Sequence, residues 1–325
     1  MIAYIIRRLL YAMPILIGVN IITFGLFFLV NTPDDMARMQ LGVKRVTPEA
    51  IANWKQERGY DKPLLFNAPA AGLGKVTNTI FFETSLRMFV FDFGRADDGR
   101  DIAREIRQRM GPSLAVAVPS FLVGLFIYIT FALAFAFFRA TYIDFWGVVI
   151  CVAAMSISSM FYIIGGQYLI AKLWHLVPIS GYNGGADALR FVVLPAAIGV
   201  IAGFGASTRL YRAFFLEEIS KDYVRTARAK GLSETVVLFR HVLKNAMIPI
   251  LTGVVVAIPF LFIGGLITES FFGIPGLGSY TIDAINSQDF AVVRSMVFIG
   301  SLLYIIGLLL TDISYTLVDP RVRLS

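Results

Sequence analysis

The sequence predicts an all-α membrane protein with six transmembrane helices. Of its 325 residues, 57% are hydrophobic and only 16% charged, against roughly 25% charged in an ordinary soluble domain. Six apolar stretches also come close to the ~20 residues that a helix needs to cross a hydrocarbon core. Helix is required there because every backbone N–H and C=O must be satisfied within the segment.

The first stretch, Leu9 to Val30, follows Arg7 and Arg8. Its 22 residues exceed a signal-peptide core of about 7 to 15, and the exit through Asn31, Thr32, Pro33 and Asp34 has no small-x-small cleavage site, so it reads as an uncleaved anchor. Next comes a polar segment, residues 31–113, with 13 bases and 11 acids over 83 residues, expected to be a small external (periplasmic) domain. The other spans are expected at Leu114 to Phe138, Phe145 to Ala171, Phe191 to Thr208, Ile248 to Thr268 and Ser295 to Leu317. The chain thus divides into residues 1–30, 31–113 and a five-span core, 114–325. Lys and Arg of short loops stay in the cytoplasm. Arg7, Arg8, Arg139, eight bases from Arg209 to Lys244, Arg321 and Arg323 fall on one side, which puts both termini in the cytoplasm. The segment 31–113 exceeds the roughly 60-residue limit of that rule.

Several function classes drop out. Cys151 has no second thiol, and His175 and His241 have no metal-ligand spacing, so no metal centre is expected. Gly72-Leu73-Gly74-Lys75 has Val76 where a phosphate loop needs Ser or Thr, and Pro69 where it needs glycine; it reads as a turn. Gly203-Phe204-Gly205 and Gly276-Leu277-Gly278 read as close packing or tight turns. An intramembrane protease would need a Ser/His or Asp/Asp pair within its spans, and a secondary transporter would need buried acids. Asp312 is the only candidate, close to the cytoplasmic end, with Arg209 or Arg212 as snorkelling partner. The net charge of +7 reflects loop bases against anionic lipid rather than nucleic acid. Such a chain is poorly equipped to couple movement to a proton or sodium gradient by itself, so any energy it uses has to come from elsewhere.

The cytoplasmic loop 212–247 is the most informative. It is expected to open on an acidic turn, Glu217 and Glu218, run as a helix through Asp222, Tyr223, Arg225, Thr226, Ala227, Arg228, Ala229 and Lys230, and stop at Gly231. Ser233 then caps a second short helix with Val236, Phe239, Leu243, Ala246, Met247 and Ile250 on one face. Small residues ahead of the bend permit close approach by a partner, which lipid contact alone would not require.

Tyr223-Val224-Arg225-Thr226-Ala227-Arg228-Ala229-Lys230-Gly231-Leu232, followed by Arg240-His241, Leu243, Asn245-Ala246 and Ile248-Pro249, closely resembles the coupling-loop signature of the dipeptide/oligopeptide/nickel branch of ABC importer permeases. Arg225 replaces the glutamate of the generic permease motif, so a contact made by that glutamate does not carry over. Thr268-Glu269-Ser270-Phe271-Phe272 with Pro275-Gly276-Leu277-Gly278, Asp319-Pro320-Arg321-Val322-Arg323, Val177-Pro178-Ile179-Ser180-Gly181 and Gly59-Tyr60-Asp61-Lys62-Pro63-Leu64 are similar to other family segments, so the likeness runs nearly end to end. Between Phe66 and Phe91 the pattern departs, and Ser158-Ser159 stands where Ser-Pro is common.

The resemblance implies the type I ABC importer permease fold in the bacterial inner membrane. It also implies a homologous second permease subunit, two cytoplasmic ABC ATPase subunits carrying ATP and Mg, and an external substrate-binding protein. This chain itself would bind no cofactor or metal and catalyse nothing. Cargo is expected to be di- or oligopeptides; nickel chelates or another small peptide-like solute are the alternative. The residues from Asp222 to Leu232 are expected to meet the ATPase. Glu269, Phe271, Phe272, Pro275, Gly276 and Gly278 read either as an external gate or receptor contact or as a re-entrant turn packed for stability.

Overall fold

Helices that satisfy their own backbone in lipid do not have to end where the apolar run ends, and here several continue into polar sequence. The computed structural model describes residues 2–42 and 46–318; the tail motif at 319–323 lies outside them. Among the described residues there is no β-strand, only an isolated bridge between Arg95 and Asp101. The first helix, α1 (Ile2–Gly25), closes with a π turn, Leu26–Val30. Short helices follow: α2 (Pro33–Leu41), α3 (Pro48–Glu57), α4 (Gly74–Thr77) and α5 (Ile80–Thr84). The long α6 (Ile102–Phe137) begins twelve residues before the expected start at Leu114. Then come α7 (Tyr142–Ser156), α8 (Ser159–Gly166) with a π turn to Leu173, α9 (Ala188–Ile219) and α10 (Asp222–Ala229). From α11 (Glu234–Val236) a π turn (Val237–Val242) leads into α12 (Leu243–Ala257) and a 3₁₀ turn (Ile258–Phe262). The last are α13 (Leu266–Phe272), α14 (Leu277–Asn286) and α15 (Phe290–Val318).

Five helices are long and apolar enough to cross a membrane, and the pair α7 and α8 makes a sixth if counted as one span. The expected third span is therefore not a single rod: it bends by 87° between Ser156 and Ser159. Ile157 and Ser158 are extended, and the Tyr162 hydroxyl donates to Ala154 O at 3.0 Å. Ala154 O also accepts from Ile157 N at 3.4 Å, so the tyrosine adds a second donor where the α-helical ladder stops. The fifth span differs too, since its helix stops at Phe262 and Thr268 belongs to α13.

In the segment after α1, threonines start the helices. Thr32 accepts from Asp35 N while Asp35 accepts from Thr32 N, a reciprocal capping box ahead of Pro33. Thr47 accepts from Ala50 N ahead of Pro48. The expected turn at Gly72 has φ +56° and feeds directly into α4.

The chain forms two units. One comprises Met1–Arg109 and Tyr280–Leu309. Its core joins Phe24 and Phe28 to Met36, Ile51, Trp54, Tyr60 and Ile80, so the polar segment uses the end of α1 as its hydrophobic floor. Arg294, 4% exposed, lies 4.7 Å from the Phe28 ring centroid and donates to the Tyr60 hydroxyl, a cation held by an aromatic face.

The other unit, Met110–Ser279 with the end of α15, is built around α9. Gly199 and Gly203 sit four apart, and a Cβ on either would come within 2.5 Å of the Ser120 or Tyr128 hydroxyl of α6. Gly205 faces α7, where a Cβ would run into the Cys151 carbonyl and Met155. Small residues bring helices together in lipid by allowing backbone-close packing, since apolar burial provides little drive there. These glycines are packing residues, in line with the sequence expectation for Gly203 and Gly205.

Candidate functional site

α10 follows α9 after only Ser220 and Lys221. Glu217 and Glu218, expected to open the loop helix, instead form the last turn of α9, and Lys221 bridges both at 3.4 Å. α10 is amphipathic over just two turns. Val224 and Ala227 are buried in a cluster with Phe215, Ile219, Val237, Leu238 and Val242. Asp222, Tyr223, Arg225, Thr226, Ala229 and Lys230 are exposed. Ala227 therefore packs against its own chain, and its small size is explained by that packing; the surface left for a partner is the Arg225–Thr226–Ala229 side.

The stop at Gly231 is a complete Schellman closure. Gly231 has φ +77°, its N–H donates to Arg228 O at 2.9 Å, and Leu232 N–H donates to Ala227 O at 3.4 Å. Across the bend, Arg228 forms a two-pronged pair with Glu234 at 2.6 and 3.2 Å, which ties α10 to the next helix. Tyr223 donates to Glu218, and burial pushes its phenol up to about 12.

Ser233 occupies the N-cap position, but its side chain makes no capping bond. The helix it precedes is not short; it runs on into α12. The face agrees with expectation at Ala246 and Ile250, which are buried, and at Leu243 and Met247, which pack beside them, but differs at its start: Val236 and Phe239 are exposed, while Val237, Leu238 and Val242 are buried. The π turn at Val237–Val242 adds one residue at this point, so the displacement is confined to the start of the helix.

Asp312 was expected to pair with Arg209 or Arg212. Arg212 is held by Asp144, in the first turn of α7, through two hydrogen bonds of 2.7 and 2.6 Å. Arg209 points to the Met155 sulfur at 3.7 Å. The Asp144–Arg212 fork clamps α7 to α9 and escaped the sequence reading, because an acid at the start of a span reads as a capping charge.

The Glu269–Gly278 turn is packed into its own unit. Phe272, Ile274 and Leu277 are 2% exposed or less, and Phe272 O accepts from Gly181 N at 2.8 Å. Gly273, at φ +61°, closes α13, and Ile274 N–H donates to Glu269 O, repeating the device at Gly231. Glu269 itself is 1% exposed, contrary to the expectation of no buried ionisable group. Its carboxylate accepts from Gly265 N at 3.1 Å, Gly278 N at 2.7 Å and Ser279 N at 3.2 Å, and it is hydrogen-bonded to Ser113, whose hydroxyl also accepts from Leu277 N. Burial pushes this carboxyl above the usual range against the pull of these bonds. A Cβ at Gly264 or Gly276 would fall on the carboxylate, so the glycines make room for the acid. Phe271 and Pro275 remain on the surface. Ser113, Gly264, Gly265 and Ser279 complete this clasp. An acid within a glycine-rich stretch was its one visible sign in the sequence.

Beside the clasp lies a cavity of about 420 Å³ lined from α6, α9 and the turn between α12 and α13, including Ser120, Phe121, Tyr128, Ser207, Tyr211 and Thr268. Among the described residues no three His, Cys, Asp or Glu side chains gather as a metal site.

Residues 112–324 match the family model described as binding-protein-dependent transport system inner membrane component, and residues 1–69 match the N-terminal model of the same systems. The chain is 31% identical to a putative peptide transport system permease protein of Brucella abortus, with 99% of each chain covered. It is 29% identical to the probable peptide ABC transporter permease protein y4tP of Sinorhizobium fredii, covering 98% of this chain and 99% of that one. It is also 29% identical to the glutathione transport system permease protein GsiC of Salmonella typhimurium, with 99% of each covered.

Proposed function

Because the chain belongs to the family of binding-protein-dependent transport system inner membrane components, we propose that it is the permease subunit of an ATP-driven importer of di- or oligopeptides. It lies in the inner membrane with both termini in the cytoplasm and forms half of the translocation path beside a homologous permease. A substrate-binding protein delivers cargo from outside, and two cytoplasmic ATPases bind ATP and Mg. The chain itself has no catalytic role. The names of the relatives, peptide and glutathione permeases, favour small peptides over nickel chelates.

The observation that carries the coupling role is the two-sided α10. One edge is locked to α9 and α11 by Val224, Ala227 and the Arg228–Glu234 fork, and the other presents Arg225, Thr226 and Ala229. A helix so anchored can transmit a push. Moving a conformational equilibrium from 1:99 to 99:1 takes about 5.5 kcal/mol of differential binding, which a loose loop would dissipate. The test is vanadate-sensitive ATP hydrolysis by the complex purified with its partners. Wild type is expected to respond to peptide-loaded binding protein. Arg225→Glu is expected to assemble in the membrane but lose that response. Full stimulation of Arg225→Glu, or ion-gradient-driven uptake by this chain alone, refutes the reading.

A further inference from the structure

The cavity beside the Glu269 clasp differs from the other outward surfaces of its unit. On α7, Phe145, Trp146 and Ile150 are all more than half exposed, the surface expected toward lipid. The cavity instead gathers the hydroxyls of Ser120, Ser207, Tyr211 and Thr268.

Hydroxyls on lipid-exposed helices normally fold back onto the carbonyl one turn earlier. Thr130, Ser156, Thr252, Ser295 and Ser301 do so at 2.7 to 3.0 Å. The four cavity hydroxyls make no hydrogen bond among the described residues. Leaving polar groups unsatisfied against hydrocarbon is unfavourable, so this wall is suited to water or a polar solute. The one carboxylate at its rim, Glu269, is already occupied by backbone N–H groups and Ser113 and is not available to a cargo ammonium group. A volume of about 420 Å³ lies within the ~300–1,000 Å³ typical of small-ligand pockets.

We infer that this groove is the wall along which cargo passes, with Ser120, Ser207, Tyr211 and Thr268 exchanging hydrogen bonds with the main chain of an extended peptide. The inference rests on the importer reading for the identity of the cargo. Hydroxyls both donate and accept, so they match a peptide backbone in any register. A lining whose only acid is sealed has no fixed charge with which to select side chains. Selection by sequence is left to whatever delivers the peptide.

The test uses the assembled importer in a Cys151→Ala background. Ser120→Cys and Ser207→Cys are expected to react with a charged, membrane-impermeant thiosulfonate and to be protected at least fivefold by trialanine with its binding protein. Ile150→Cys on α7 is expected to stay unreactive. Ser207→Ala with Tyr211→Phe is expected to lower trialanine uptake about fivefold for each hydrogen bond lost, and equally for tripeptides bearing Lys or Glu side chains. Groove cysteines as inert as Ile150→Cys overturn the wall. A loss that differs by tenfold between Lys and Glu tripeptides overturns the neutral lining. Ready modification with protection by a nickel chelate and not by trialanine overturns the peptide cargo while leaving a solute-lined wall in place.

Discussion

Replacing Gly231 by alanine isolates one energetic effect. At φ +77° an L-residue pays about 1–2 kcal/mol for left-handed backbone, and nothing lies within 4 Å of the Cβ that alanine would add. Steric collision therefore contributes nothing, and the penalty falls entirely on the Schellman closure that ends α10. A shift of 1–2 kcal/mol changes the ratio of closed to opened elbow by about 5- to 30-fold. Asparagine tolerates this backbone region better than alanine, so Gly231→Asn should recover part of the loss. The assay is stimulated ATP hydrolysis by the purified complex, alongside hydrogen exchange at the amides of Gly231 and Leu232, which donate to Arg228 and Ala227. The expected order in both is wild type, then Asn, then Ala. If alanine matches wild type in exchange and in turnover, or asparagine is no better than alanine, the elbow does not depend on the closure and the reasoning fails.

Ala227→Leu should overpack the cluster beneath α10 and lower stability by about 1–3 kcal/mol, while Thr226→Glu on the exposed side should leave the melting temperature within a degree or two and abolish stimulated hydrolysis; melting of the solubilised complex with ATPase measurements separates the two. Gly205→Ala places its Cβ against the Cys151 carbonyl, a backbone group that cannot rotate away, so a loss above about 1–3 kcal/mol is expected, visible as reduced folded yield and a lower melting temperature. The Tyr223 phenol is raised from 10.0 to about 12, so the folded state holds this proton more tightly than the unfolded one. Its contribution is complete below pH 10 and is lost as pH rises toward 12. The melting difference between wild type and Tyr223→Phe should accordingly stay flat from about pH 6 to 9.5 and shrink above 10.

The spans were legible because a bilayer sets a length, and a run of about 20 apolar residues leaves few other readings. The break at Ser158 was not, since hydropathy stays high across it and the hydroxyl of Tyr162 that reaches back to Ala154 O carries no local signal of a bend. Gly231 was readable from its type and position, but the phase of the helix after it was not. A π turn at Val237–Val242 shifts the first turns relative to the later ones, where Ala246 and Ile250 fall on the expected face, and no local residue preference announces it. Ala227 shows the limit of reading size alone, for a small residue suits contact with another protein and contact with its own core equally well. Glu269 was found as part of a motif whose two readings, gate or packed turn, the sequence left open, because its burial depends on glycines and on Ser113, brought to it only by folding.

α9 runs unbroken for 32 residues, about 48 Å at 1.5 Å per residue. It is gripped near its middle by α6 on one side and α7 on the other, and α10 hangs from its end. Because the Asp144–Arg212 fork also ties its lower arm to α7, α9 and α7 would tilt together, and a tilt of about 10° would carry each tip of α9 roughly 4 Å in opposite directions. Ser207 and Tyr211 ride on the arm that leads to α10, so a stroke delivered below would shift half of the hydroxyl row relative to Ser120 without any helix having to bend.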